Sequence, residues 1–404
     1  MSRKMWHVCV PNLRSLSRQI CAVVLLCFLG ALSCASAQDA SHVYFAGVAY
    51  TSDAADITST YPHISEALSA DGTVRLDGDL HRLLSDQSLP LKISFDSLGS
   101  TSDEQKATAL ALAIDRESTS VERIGNTYKV RVEIGAQALF FNFKDKQILG
   151  GFPFTLEYID ARDTPPSDAY IKGLYQSLIF GASGRPSLES EFVKTIQRAH
   201  VPDASIRHLR VGKVTLSPRT IKYLARVAPN ENITALKQQV AQEFGKFLAT
   251  NQGISLLPYS SNQALGGSMP ARFAEGDAYQ LKIPDADYDI ALNVAGFKKI
   301  ARSSDAAATV YLYGAFVDVK VTEPLSGHVY FAQRMRQGAS KIVPVSQKAT
   351  DDWAASYETL LMLFNNFTKS ISTPGAPWVH SAMPKGRDVE KQLSTLRELI
   401  KSCR

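Results

Sequence analysis

Apolar residues along this chain follow two spacings, and the switches between them mark the expected elements. Period-two alternation, the mark of a strand with one buried face, runs through residues 43–50, 89–95, 128–143 and 148–159. It returns at 206–216, 254–259, 288–299, 309–321 and 328–335. Helical spacing predicts short pieces around 64–68 and 80–84, and longer helices over 164–180, 187–199, 231–253 and 351–371. A further helix is expected over 103–117, with Ala107, Leu110, Ala111 and Ile114 on one face. The strongest helical stripe is Ile233, Leu236, Val240, Phe244 and Phe247, with Gly253 as a natural stop. Polar turns at 144–147 and 322–327 join neighbouring strands as hairpins. The Gly- and Ser-rich stretch 260–276 is expected to be a connection.

Strand, helix, strand, a variable insert, three meandering strands and a helix occur in that order twice. The expected fold is therefore α/β: two tandem mixed sheets of three to five strands, packed by helices. The domain division is a first unit over 38–201, a second over 202–372, and a tail over 373–404. The pentapeptide HVYFA appears at 42–46 and again at 328–332. It opens the first unit but forms the returning arm of a late hairpin in the second, so it is not evidence of duplication. In the tail, the Pro- and Gly-rich stretch 372–387 is expected to be an extended strap. A helix follows, with Val389, Leu393, Leu396 and Ile400 on one stripe and Cys403 beside it. That helix either docks on its own domain or is offered to a partner, in which case those five residues are the partner-binding candidates.

The second unit carries a resemblance. The segments "ADYDIALNVAGF", "ATVYLYGAFVDVKV" and "GHVYFAQRM", with Asp318-Val319 before a turn that ends at Gly327, resemble the periplasmic domains of the CsgG, TolB amino-terminal and LpoB kind. The likeness covers 206–372 and, more faintly, 43–180, and Pro324 lengthens the turn relative to that pattern. It implies an α/β periplasmic module that assembles with other envelope components. It passes no catalytic residue to this chain.

Charge and cysteine usage narrow the role. Residues 1–19 carry Arg3, Lys4, Arg14 and Arg18 with no acid, the apolar run 20–32 follows, and Ala35 and Ala37 give a small-x-small site. This is a secretory signal over 1–37 with cleavage expected after Ala37, and a periplasmic or secreted protein that is not integral to the membrane. Leu32 stands one position away from where a lipobox needs it, so lipid anchoring at Cys34 is not expected. Removing the signal leaves 40 basic against 39 acidic residues. That balance gives no excess with which to hold nucleic acid. Four of the five cysteines leave with the signal. The remaining Cys403 can form no disulfide within the chain.

No stretch carries a recognisable catalytic or cofactor signature. Asp285, Asp287 and Asp289 alternate as in the first half of a calcium loop. Ile290 and Gly296, however, stand where that loop needs glycine and a bidentate glutamate, so they are weak metal candidates at a strand entrance. Gly181 and Gly184 follow a helix, whereas a phosphate loop opens one, so they are expected to terminate it. The seven histidines after the signal form no close ligand pair; His200 and His208 flank the expected junction. These features predict a non-enzymatic binding or assembly accessory protein of the cell envelope, with no cofactor and an envelope protein as partner. The alternatives are a hydrolase of envelope polymers with its site between the two units, and a binder of small ligands in the same cleft.

Overall fold

The computed structural model of the chain describes residues 41–51, 57–69, 71–95, 108–182, 184–203, 206–259, 268–273, 278–347, 350–384, 386 and 388–404. The expected signal segment, with Cys34 and Ala37, lies outside them. The alternating segments pair into two mixed sheets, and the residues from Ser41 to Arg404 pack as one unit. The first sheet contains β1 (Ser41–Tyr50), β2 (Leu91–Ser94), β3 (Thr108–Ile124), β4 (Thr127–Asn142) and β5 (Gln147–Arg162). Its order is β2-β1-β3-β4-β5, with β1 parallel to both neighbours and an antiparallel meander from β3 to β5.

The second sheet contains β6 (Leu209–Leu216), β9 (Tyr288–Ser304), β10 (Ala308–Thr322) and β11 (Val329–Pro344), in the order β11-β10-β9-β6. Here β6 runs parallel to β9, and Leu257 bridges β6 in parallel on its other side, so the same strand order is repeated. Two further strands, β7 (Ser268–Phe273) and β8 (Ala278–Lys282), arise within the second half but join the first sheet, pairing with β1 and β5. They replace the expected connection and enlarge that sheet beyond five strands.

Helices cover the sheets according to their apolar stripes. In the first half these are α1 (Ile57–Thr60), α2 (Pro62–Ala67), α3 (Asp71–Ser85), α4 (Asp168–Phe180) and α5 (Leu188–Ile196). They pack on one sheet face around Leu112, Val132, Ile134 and Phe140. In the second half come α6 (Pro218–Val227), α7 (Ile233–Gln252), α8 (Asp352–Ser372), α9 (Pro377–Ala382) and α10 (Val389–Lys401). The side chain of Asn232 caps α7 by accepting from the Thr234 and Ala235 amides, and left-handed Gly253 ends it. Phe244 then meets Phe364 edge-on at 5.2 Å, and Phe367 meets Phe331 of β11 at 5.2 Å. Each such fully buried ring contributes about 1.5–3 kcal/mol of hydrophobic stabilisation.

Two expectations are corrected. Residues 108–124 form a strand, not a helix; Ala107 lies outside the described residues. Ala109, Ala111 and Ala113 pack on one sheet face while Leu110, Leu112 and Ile114 pack on the other. A strand buried on both faces loses its polar alternation, and its alanines imitate a helix. The tail is not an extended strap either. Pro377 starts a helical turn, α9, whose Trp378 donates Nε1–H to Gln337 Oε1 at 2.7 Å.

The two halves meet where Gly150-Gly151 of β5 lets the backbone at 254–257 approach. The Gly151 amide donates to Leu256 O at 2.7 Å and the Leu256 amide returns to Gly151 O at 2.9 Å. A Cβ on Gly150 would stand 2.8 Å from Ser255 Cβ, so the contact requires glycine there.

Candidate functional site

Two places gather polar groups, and they differ in access. One is the seam between the first sheet and the α7–α8 layer. A bulge after Ile114 turns Arg116 to the face of β3 that looks toward α7, next to Glu133 and Arg131 of β4. Arg116 pairs with Glu133 Oε1 through Nη2 and donates Nε–H to Gln242 Oε1 at 2.9 Å. Arg131 pairs with Glu133 Oε2 and also holds Glu157 at 3.0 Å. Thr155 donates to Glu243 Oε1 at 2.9 Å, and Lys246 closes on Glu243 Oε2. Glu133 is 1% exposed and Arg116 7%. Burial pushes the Glu133 carboxyl up, but Arg116 and Arg131 hold it below the usual carboxylate range. Tyr357 is buried beside the same groups. Burial, reinforced by the Glu243 and Glu133 carboxylates, pushes its hydroxyl well above the usual range.

Two other carboxyl groups near this face sit at about 7. Asp115, at the bulge, is raised by burial against the opposing hydrogen bonds of Gln137 and Thr51. Glu122 is raised by burial and by its hydrogen bond with Asp351. Asp351 in turn caps α8 through the Ala354 amide at 2.7 Å and pairs with Lys129 at 2.6 Å. These charges pair at close range and join the two halves, with Glu133, Arg116 and Glu243 buried and Arg131, Lys129 and Lys246 partly exposed.

The other place is the face of the second sheet turned away from its helices. Cross-strand register assigns its side chains row by row. Thr215, Asn293, Asp318 and Arg334 form one row across all four strands. Thr215 donates to Asn293 Oδ1 at 3.0 Å, Asn293 Nδ2 donates to Asp318 at 2.9 Å, and Arg334 grips both Asp318 oxygens. Phe316 stands opposite Arg336 in the next row, Gly314 lies between Lys298 and Gly338, and Leu312 lies between Ile300 and Ser340. The last row is Ser303, Val310 and Ile342. The ring of Phe316 leans over Gly314 and Leu312 over Gly338, where a Cβ would stand 3.5 and 3.4 Å from them. The missing side chains leave a groove of about 420 Å³, walled by Ile300, Leu312, Phe316 and Trp378 and flanked by Lys298 and Arg336.

The sequence-predicted residues are dispersed. Asp287 accepts the His208 amide at 2.7 Å, Asp289 pairs with Arg210 at 2.6 Å and Asp285 is exposed. Among the described residues no group of three metal-ligating side chains is placed around a common point. Gly181 and Gly184 turn the chain after α4 at φ of 83° and 75°. Leu393, Leu396, Ile400 and Cys403 are buried in the second core, with Val389 packed against its edge. The helix is thus docked on its own domain, and these side chains do not face a partner in this conformation. The groove itself was missed in the sequence reading. Its available signal was glycine at two strand interiors, Gly314 and Gly338, with Lys298 and Arg336 around them.

No family model and no curated protein matches the chain. Solved structures it is similar to include a hypothetical protein from Chlamydia trachomatis at 9% identity, covering 41% of this chain and 93% of that one, with a TM-score of 0.25. A Xanthomonas campestris protein of the DUF330 family matches at 12%, covering 42% and 86%, with a TM-score of 0.22. A neuraminyllactose-binding hemagglutinin homolog from Helicobacter pylori matches at 14%, covering 43% and 93%, with a TM-score of 0.22. Likenesses of this strength carry no argument about what the chain does. Among the described residues, no helix is long and apolar enough to cross a membrane.

Proposed function

We propose that the protein works by binding, as a secreted accessory or assembly factor of the cell envelope, built on units of the CsgG, TolB amino-terminal and LpoB kind. The surface it binds with is the open face of the second sheet, bordered by Trp378 of α9. One observation carries this reading. Both sheets share a strand order, yet the first is packed on both faces while the second keeps one face open around a groove of apolar walls and flanking cations. The hydrolase alternative needs ionisable groups converging on an accessible space. The groups that converge in the seam are paired there, Arg116 with Glu133 and Glu243 with Lys246, and all but Lys246 are buried. Support for docking by the terminal helix is weaker, because its stripe is already consumed by the chain's own core.

Filling the groove tests the reading. Gly338→Trp places an indole in it from an exposed strand position. Retention of the purified protein on immobilised envelope fractions is expected to fall at least ~10-fold, at unchanged thermal stability. A control pair, Lys194→Gln with Arg198→Gln on the opposite half, should leave retention intact. Equal retention of wild type and Gly338→Trp, or equal loss by the control pair, would overturn it.

A further inference from the structure

The open face of the second sheet has an unbalanced charge. Its two carboxylates, Asp289 and Asp318, are each occupied by an arginine of the same face, Arg210 and Arg334. Lys213, Lys298, Lys320 and Arg336 share that face and have no carboxylate partner among the described residues. The chain after the signal is nearly neutral as a whole, with 40 basic against 39 acidic residues, so the positive excess of this face is offset elsewhere on the chain. Between and beyond these cations runs an apolar band of Ile300, Val310, Leu312, Phe316 and Ile342. Ile342 is 72% exposed and Ile300 42%, and Val345 beyond the end of β11 is 60% exposed. Trp378 lies at the border between band and cations, with its ring edge tied to Gln337.

Resting on the binding reading above, we infer that this face lies flat on an anionic lipid surface. Apolar side chains enter the acyl boundary, while flexible lysines and an arginine reach back to headgroup phosphates. A tryptophan with one apolar and one polar edge suits the boundary between those layers. The turn that ends the ribbon is polar: Asp305 accepts from the Ala307 and Ala308 amides. It would resist insertion end-on, which is why contact by the face is favoured. An acidic protein partner could meet the same cations, but it gives no reason for isoleucines at 72% and 42% exposure on two separate strands, β11 and β9.

The test is co-sedimentation of the purified protein with phosphatidylcholine vesicles and with mixed phosphatidylcholine–phosphatidylglycerol vesicles. Binding is expected only to the mixed vesicles and should weaken as salt is raised. Each cation close to an acidic bilayer is worth roughly a five-fold change in partitioning, so Lys298→Gln with Lys320→Gln should weaken binding by about 25-fold. Ile342→Ser should weaken it several-fold without removing a charge. Lys222→Gln with Lys369→Gln changes charge equally on helices of the covered side and should have no effect. Urea unfolding of each variant separates surface effects from unfolding. No binding to mixed vesicles, or equal losses in both lysine pairs, would overturn the inference. If vesicles are not bound but Gly338→Trp still releases the protein from envelope fractions, the lipid assignment fails and the binding surface stands. If neither readout responds, both readings fall.

Discussion

Glu133→Gln isolates the charge at the centre of the seam. The substitution keeps the size of the side chain but removes the carboxylate that both Arg116 and Arg131 engage. Arg131 is partly solvated and keeps Glu157 at 3.0 Å, so its loss is modest. Arg116 is 7% exposed and is left with neutral acceptors alone, Gln242 and the amide oxygen of the new side chain. Its Nη1 has no hydrogen-bond partner even before the change. At an effective dielectric near 20, a contact ion pair is worth about 4 kcal/mol, and breaking a buried pair from one side costs about 3–5 kcal/mol. A loss of about 4 kcal/mol is therefore expected, read as the shift of the urea midpoint at constant m-value from Trp353 and Trp378 fluorescence. Arg116→Met combined with Glu133→Leu removes both charges and should recover most of that loss. Gln239 and Gln242 would each forfeit a bond, at about 1 kcal/mol apiece. The reasoning is refuted if Glu133→Gln costs under about 1 kcal/mol, or if the double variant is no more stable than the single one.

Other consequences follow from the same packing. Asp115 is held at about 7 in the folded chain against about 3.9 when unfolded, so its contribution to stability is complete below about pH 4 and disappears as pH rises through 7. Asp115→Asn should accordingly flatten the fall in stability between pH 4 and 7 and be more stable than wild type at pH 8, by urea titration at each pH. Asp351→Ala removes both the α8 cap and the Lys129 ion pair and should cost about 1–2 kcal/mol by thermal unfolding. Leu396→Ala on the docked terminal helix should cost about 2–5 kcal/mol, whereas a helix held out for a partner would lose almost nothing. Burial pushes the Cys403 thiol up to about 12, so it should react with a thiol reagent only at the unfolding rate, as followed by colorimetric titration with and without urea.

Much of the fold was legible because most elements bury one face. The stripe Leu236, Val240 and Phe244 reads as a helix since its other side is polar, even though that side packs on the first sheet, and both long hairpins announce themselves by alternation and a polar turn. The two HVYFA copies also fall as their positions imply. One lies in β1, the counterpart of β6 in sheet order, and the other runs into β11, the counterpart of β5. Legibility failed where both faces are covered. In β3 the alanines that pack with Leu139, Phe141, Leu281 and Ile283 on a second buried face erased the pattern. The pairing of β7 and β8 with a sheet begun more than 200 residues earlier has no local cause. Nothing local marks Asp115 and Arg116 for burial, because the partner groups that bury them are distant in sequence.

The site was harder to see for a related reason: exposure is set by what the rest of the chain leaves uncovered. Strands β4 and β10 have comparable alternation and comparable charges on the face away from their own helices. In β4 that face carries Arg131 and Glu133, and α7 and α8 supply Gln239 and Tyr357 to receive them. In β10 it carries Asp318 and Lys320 beside Phe316, and of the described helices α9 borders it through Trp378 and Ser381 while leaving it open. Burying Arg131 and Glu133 forced their charges into a closed network, whereas Lys320 was left with none. Lys320 is well solvated in water, but Ile300 and Ile342 farther along the same face expose apolar surface there that contact with a partner surface would remove. The difference between these two strands is therefore the physical reason for placing the binding role on the second sheet.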